Sequence, residues 1–207
     1  MQPDNAASKR KFNLAVEATQ TGKILFSGAD SIDQFDQGCD HAFDILHDAY
    51  LLFKNGSFST AVFLAITAIE EIAKLHIAIF RNEKRTATAK QRRDDHLFSH
   101  KAKHSIALQE IIAIGTRLPE AIGEQRVRDL LDMAESGKLV ALRESALYLD
   151  NIDGEFVCPA DRIDQNIARE ILLLSLEVWD DHLVGLTNHT YELNRKLVDI
   201  FNEVAGS

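Results

Sequence analysis

The chain predicts an all-α fold, an antiparallel bundle of helices. Three observations carry the prediction. Only three prolines and ten glycines interrupt 207 residues. Apolar residues recur at helical spacing along most of the chain, and the connections between these periodic stretches are mostly short. A chain of this length buries roughly 70% of its unfolded surface and needs no covalent staple.

Residues 1–30 form a peripheral lead-in, broken at "TGK" and "SGAD"; residues 31–207 form the helical domain. Ser31, an N-cap type, opens a period that runs through Phe35, Ala42, Ile45, Leu46, Ala49, Leu52 and Phe53. "KNGS" at 54–57 stops it. The next helix, Phe58 to about Arg81, is apolar nearly all round in its first half, which marks a central, buried rod. A polar loop, "NEKRTATAKQRR", follows. A third helix is expected from Asp94–Asp95, whose carboxylates suit an N-terminus, to about Thr116. Pro119 opens a fourth through Val127, Leu130, Leu131 and Met133, ending at "SGK". "ALRESALYLDNIDGEFVCP" reads as a short helix leading into an extended, covering segment. Asp161 to about Val204 is one long helix or two.

The net charge of −9 argues against indiscriminate nucleic-acid binding. Yet Arg81 to Lys103 holds eight basic residues against three acidic ones. Such an island on an acidic body holds a specific phosphate-bearing ligand, or is a solvated loop. Cys39 and Cys158 are isolated and form no CxxC, which points to a reducing cytoplasm. The N-terminus lacks the apolar core of a signal peptide, and the longest apolar run, Ala61 to Ile69, is short of the ~20 residues of a membrane span. A soluble, cytoplasmic protein without membrane contact is expected.

"AITAIEEIAKLH" ends the buried rod with two adjacent carboxylates and a lysine. Glu70 and Glu71 stand four and three residues before Lys74, so either reaches its ammonium. Neighbours on a helix lie about 100° apart. At least one carboxylate therefore turns toward the interior, where it requires a cation or donors. The alternative is an intrahelical salt bridge at the rim of the core.

"RRDDHLFSHKAKH" places His96, His100 and His104 on one face of a helix. Two histidines at this spacing hold a metal in some proteins, but no HExxH or carboxylate–histidine pattern accompanies them. Arg93 and His100 are seven residues apart, almost two turns, and face the same way if the helix begins near Asp94. An arginine fork stabilises a phosphorane and an imidazole exchanges protons near neutral pH, so the pair suits RNA cleavage by the RNA's own 2′-hydroxyl. Tyr148 and Asp150 read as a packing and turn pair, Trp179 as core, and both cysteines as small buried hydrophobes.

Ala49, Leu52, Gly56 and Ala61, then Glu70, Glu71 and Lys74, then His100, Lys101 and Lys103, then Leu147, Tyr148 and Asp150 occur in a fixed order. This pattern over roughly 40–160 resembles the AbiV family of bacterial abortive-infection proteins, within the HEPN superfamily. The only basic residue shortly before the last motif is Arg143. The resemblance implies an antiparallel HEPN-like four-helix bundle with additional N- and C-terminal helices, often dimeric. It implies a metal-independent endoribonuclease with an R-x4-6-H motif, matched by Arg93, Asp94 in the polar slot, and His100. Arg93 would stabilise the phosphate, His100 would act as acid and base, and Glu70 or Glu71 with Lys74 would orient them. Arg92, Lys101 and Lys103 would hold the substrate. No cofactor is expected; RNA is the implied partner, and the chain the implied homodimer. Two other readings stand beside it. One is a non-catalytic module that binds a phage or host protein and blocks translation. The other is a metal enzyme using His96 and His100 with Glu70 or Glu71.

Overall fold

The computed structural model describes residues 5–88, 94–108 and 116–207, with side chains from Asn13 onward. The described residues form ten helices and one two-stranded hairpin, so the all-α expectation holds. Helices α1 (Asn5–Gln20), α2 (Ser31–Lys54) and α3 (Phe58–Phe80) come first. Next are α4 (His100–Ala107), α5 (Arg117–Ile122), α6 (Glu124–Ser136) and α7 (Lys138–Ser145). The hairpin β1 (Asp150–Ile152) and β2 (Glu155–Val157) precedes α8 (Pro159–Arg162), α9 (Gln165–Leu183) and α10 (Asn188–Ala205).

Helix α3 is the central rod. Its buried residues, among them Ala61, Val62, Ala65, Ile66, Ala68, Ile69 and Ile72, cover more than one face, because α2 and α9 pack on it and α4 and α7 close another side. Helix α2 presents one stripe, Phe35, Cys39, Ala42, Leu46, Ala49 and Phe53. Trp179 of α9 is fully buried, as expected. Cys39 is buried too, and burial, with Asp36 and Asp40 nearby, pushes its thiol up to about 12. Cys158 is partly exposed and is not the buried residue expected.

Several boundaries differ from the sequence reading. The third helix begins at His100 and not at Asp94–Asp95. Asp95 instead accepts from the Leu97 amide at 3.0 Å, making a 3-10 turn over His96–Phe98, and Ser99 caps α4. The reason is Arg81, which takes both Asp95 carboxylate oxygens, at 2.8 and 3.1 Å. The expected end near Thr116 falls partly outside the described residues. The helix expected from Pro119 is two, split by Gly123 at φ +87°, a backbone conformation that glycine adopts without a steric cost. The C-terminal stretch is likewise two helices, α9 and α10. The extended segment is exposed along its length, apart from the half-buried Val157. It is an exposed hairpin, turned at Asp153–Gly154, and Tyr148 beside it is 62% exposed where packing was expected.

Arg81, fully buried, fastens the N-terminal segment to the bundle. Its Nε donates to the Ala18 carbonyl at 2.8 Å, Nη1 to that of Lys23 at 3.1 Å and Nη2 to that of Thr21 at 2.7 Å. Gly22 has no side chain to spare here: a Cβ would collide with the guanidinium.

A histidine pair joins α3, α4 and α9. His182 Nε2 lies 2.7 Å from the Ala107 carbonyl and must donate to it. Its Nδ1, 3.0 Å from His76 Nδ1, is then the acceptor, and both rings are neutral. Burial and the neighbouring His182 lower His76 from 6.5 to about 4. A pKa lowered on folding gives stability that is full above the unfolded value and is lost as pH falls through the folded one. Acidification from pH 7 to 5 is expected to remove about 1–3 kcal/mol. His76→Gln, which still donates to His182, should lose less over that range in urea unfolding. Equal losses would exclude this origin.

Candidate active site

Glu70 turns inward from α3 with 3% of its side chain exposed, as the apolar turns before it require. Positions 100, 103 and 104 lie on one side of α4, and all three meet that carboxylate. His100 Nδ1 lies 2.6 Å from Oε2 and Lys103 Nζ 2.8 Å from the same oxygen. His104, fully buried, brings Nε2 to 3.1 Å from Oε1. The fourth neighbour is Arg143 of α7, with Nε 3.7 Å from Oε1 and its guanidinium 4.7 Å over the Phe63 ring.

The two oxygens differ. Oε2 accepts from both Lys103 and His100. Around Oε1 the contacts are ionic in distance, Arg143 Nε lying too far for a hydrogen bond and His104 Nε2 off its line, so Oε1, both His104 nitrogens and Arg143 Nε complete none. Burial raises the Glu70 pKa, but His104, Lys103 and His100 outweigh it and bring the carboxyl down to about 2. Glu70 is therefore ionised at neutral pH and accepts only. His100 must donate from Nδ1, so in the neutral ring Nε2 holds the lone pair, on a side chain that is 47% exposed.

Glu71 separates from its neighbour. It stays on the rim of α3 and holds Lys74 at 2.5 Å, so only one of the two carboxylates faces α4. Beside His100 opens a cleft of about 240 Å³, lined by Lys23, Leu25, Glu71, Lys74, Arg81, Asp95, Leu97, Phe98, His100 and Lys103. Four cations stand there against two carboxylates. The Asp95 carboxyl, raised by burial, is lowered on balance by Arg81 and by the amides of Lys23 and Leu97.

Of the expected residues, Glu70, His100 and Lys103 meet, and Glu71 and Lys74 line the cleft beside them. Lys101 is exposed and does not line it. Arg92 and Arg93 lie outside the described residues. The single face of three histidines is corrected: His96 sits in the 3-10 turn, 3.7 Å from Glu17, while His100 and His104 belong to α4. Among the described residues, no group of three or more His, Cys, Asp or Glu is placed to hold a metal. Lys23, Phe98 and the placement of Arg143 were not foreseen. The i, i+3, i+4 spacing of His100, Lys103 and His104 could have shown one cationic face turned to Glu70; no local pattern brings in Arg143.

The family model for HEPN_AbiV, described as AbiV, matches residues 31–180 of this chain. No curated protein and no solved structure is significantly similar to it.

Proposed function

The chain belongs to the AbiV family of HEPN proteins, and from that premise we propose that it is an abortive-infection protein that cleaves RNA without a metal. One observation supports this most. An ionised, buried carboxylate holds a half-exposed imidazole at 2.6 Å, on the lining of a cleft rich in cations. Glu70 fixes the tautomer of His100 and favours the imidazolium that forms when Nε2 takes a proton.

In this reaction His100 Nε2 removes the proton of a 2′-hydroxyl. The 2′-oxygen bonds to the adjacent phosphorus, and the bond from phosphorus to the 5′-oxygen breaks. The leaving oxygen takes up the proton that the His100 imidazolium gives back, yielding a 2′,3′-cyclic phosphate and a 5′-hydroxyl. Arg93, seven residues before His100, would bind the phosphorane, and Lys74 and Lys103 would add positive charge. Arg92 would hold a phosphate, and Lys101, exposed on α4, would hold one outside the cleft. The family likeness makes a homodimer part of this reading, and the isolated cysteines a cytoplasmic location. No helix among the described residues is long and apolar enough to cross a membrane.

A second reading, a non-catalytic module that binds a phage or host protein and blocks translation, is favoured by the hairpin region. Leu147, Tyr148, Leu149, Ile152 and Phe156 are exposed within ten residues of chain.

Cleavage of end-labelled RNA in EDTA separates the two. His100→Ala and Arg93→Ala are each expected to slow cleavage about a hundredfold or more, and the wild-type product should end in a cyclic phosphate. Equal rates for all three proteins would reject the assignment. No cleavage by any of them would select the binding module.

A further inference from the structure

We infer that the hairpin β1–β2 is a docking edge for another protein, taking as a third strand an extended segment in which apolar side chains alternate with lysine or arginine. It rests on the surface behind the binding reading and names the partner's chemistry; the His100 site plays no part in it.

The turn arranges the edge. Asp153 and Gly154 both have positive φ, 53° and 89°, as a two-residue turn requires when its strands keep their right-handed twist. Asp150 pairs with Val157, Asn151 with Phe156 and Ile152 with Glu155. Among the described residues each strand pairs only with the other, so each presents an outer edge to solvent. A hairpin with strands of three residues is marginally stable alone, and a third strand supplies the ladder it lacks. Side chains alternate between the two faces. Ile152, 48% exposed, stands beside Glu155 on one face, and Phe156, 67% exposed, stands on the other. Tyr148 and Leu149 continue the exposed apolar surface into the residues before β1.

Charge decides what covers it. From Glu144 to Asp161 there are five carboxylates, Glu144, Asp150, Asp153, Glu155 and Asp161, and no basic residue. All five residues are exposed. Arg162 holds Asp150 at 3.1 Å; among the described residues no cation is paired with Asp153 or Glu155. Such a rim repels RNA. It also repels a second copy, because a two-fold contact through this face sets the same carboxylates against one another. A segment with lysine or arginine between its apolar residues meets both the rim and the apolar side chains.

The test uses the full chain and a short, capped, fluorescent peptide of alternating lysine and valine. This peptide should bind. A glutamate–valine peptide, a lysine–serine peptide and an N-methylated lysine–valine peptide should each bind about tenfold more weakly or worse. Phe156→Ser should weaken binding of the lysine–valine peptide about tenfold. Asp153→Asn with Glu155→Lys leaves the apolar side chains in place and should abolish the preference over the glutamate–valine peptide. The inference is overturned if the lysine–valine peptide does not bind, if Phe156→Ser binds it as wild type does, or if all the peptides bind alike. Conversion of a dimer into a monomer by Phe156→Ser would make a second copy the occupant, and overturns it too. Should the lysine–valine peptide fail while no RNA is cleaved, the binding module stands and this partner chemistry falls. Should it bind to a protein whose cleavage of RNA requires His100, the non-catalytic reading falls and the docking edge stands.

Discussion

Glu70→Ala is expected to lower the stability of the protein by about 3–5 kcal/mol, the range for removing one partner of a buried ion pair. The reason is what stays behind. Lys103 is almost fully buried and its ammonium loses its one carboxylate at 2.8 Å; His104 and Arg143 lose theirs at longer range. Glu70→Gln keeps the volume and an acceptor oxygen and should cost less. The acid limb distinguishes them further. The Glu70 carboxyl falls from 4.5 to about 2 on folding, so its contribution is full above the unfolded value and is lost as pH falls through about 2. Below pH 4.5 the difference between wild type and Glu70→Gln should therefore shrink. Urea unfolding at pH 7 and pH 3 reads both effects. A Glu70→Ala protein within about 1 kcal/mol of wild type would show that the cluster does not stabilise the fold.

Arg81→Ala should be as damaging, again by about 3–5 kcal/mol. Five hydrogen bonds go at once, two to Asp95 and three to the carbonyls of Ala18, Thr21 and Lys23. Among the described residues, Asp95 is left buried with the amides of Lys23 and Leu97 to accept from. Arg81→Lys keeps the charge but not the planar fork, and a single ammonium cannot serve five acceptors spread across three segments. It should recover little. Arg81→Ala with Asp95→Ala together should cost less than the two single losses added, because no unpaired charge then remains. Additive losses in such a cycle would contradict the ion-pair account.

Sequence signals were dependable where they are local. Ser31, the first residue of α2, and the Asn55–Gly56 break before α3 act within a few residues, and both helix starts were placed. That one of Glu70 and Glu71 turns inward was legible, because the turns before them are apolar on every side; which of the two was not. Glu71 and Lys74 follow from spacing alone. The start of α4 was not legible, because Asp95 is claimed by an arginine fourteen residues upstream and not by its own helix. Gly123 falls inside the stretch that periodicity reads as one helix, and the Asp153–Gly154 turn carries no signal that the sequence reading used. Arg143 reaches Glu70 only because α7 folds back against α3, which periodicity along either helix cannot report.

The Arg81–Asp95 pairing also has a consequence for descent. Either residue replaced alone leaves a handicapped protein, so a lineage can exchange the two only by passing through that handicap or by changing both together. Variation should therefore arrive at these two positions jointly, and the wall that carries Lys23 and Leu25 should shift with them.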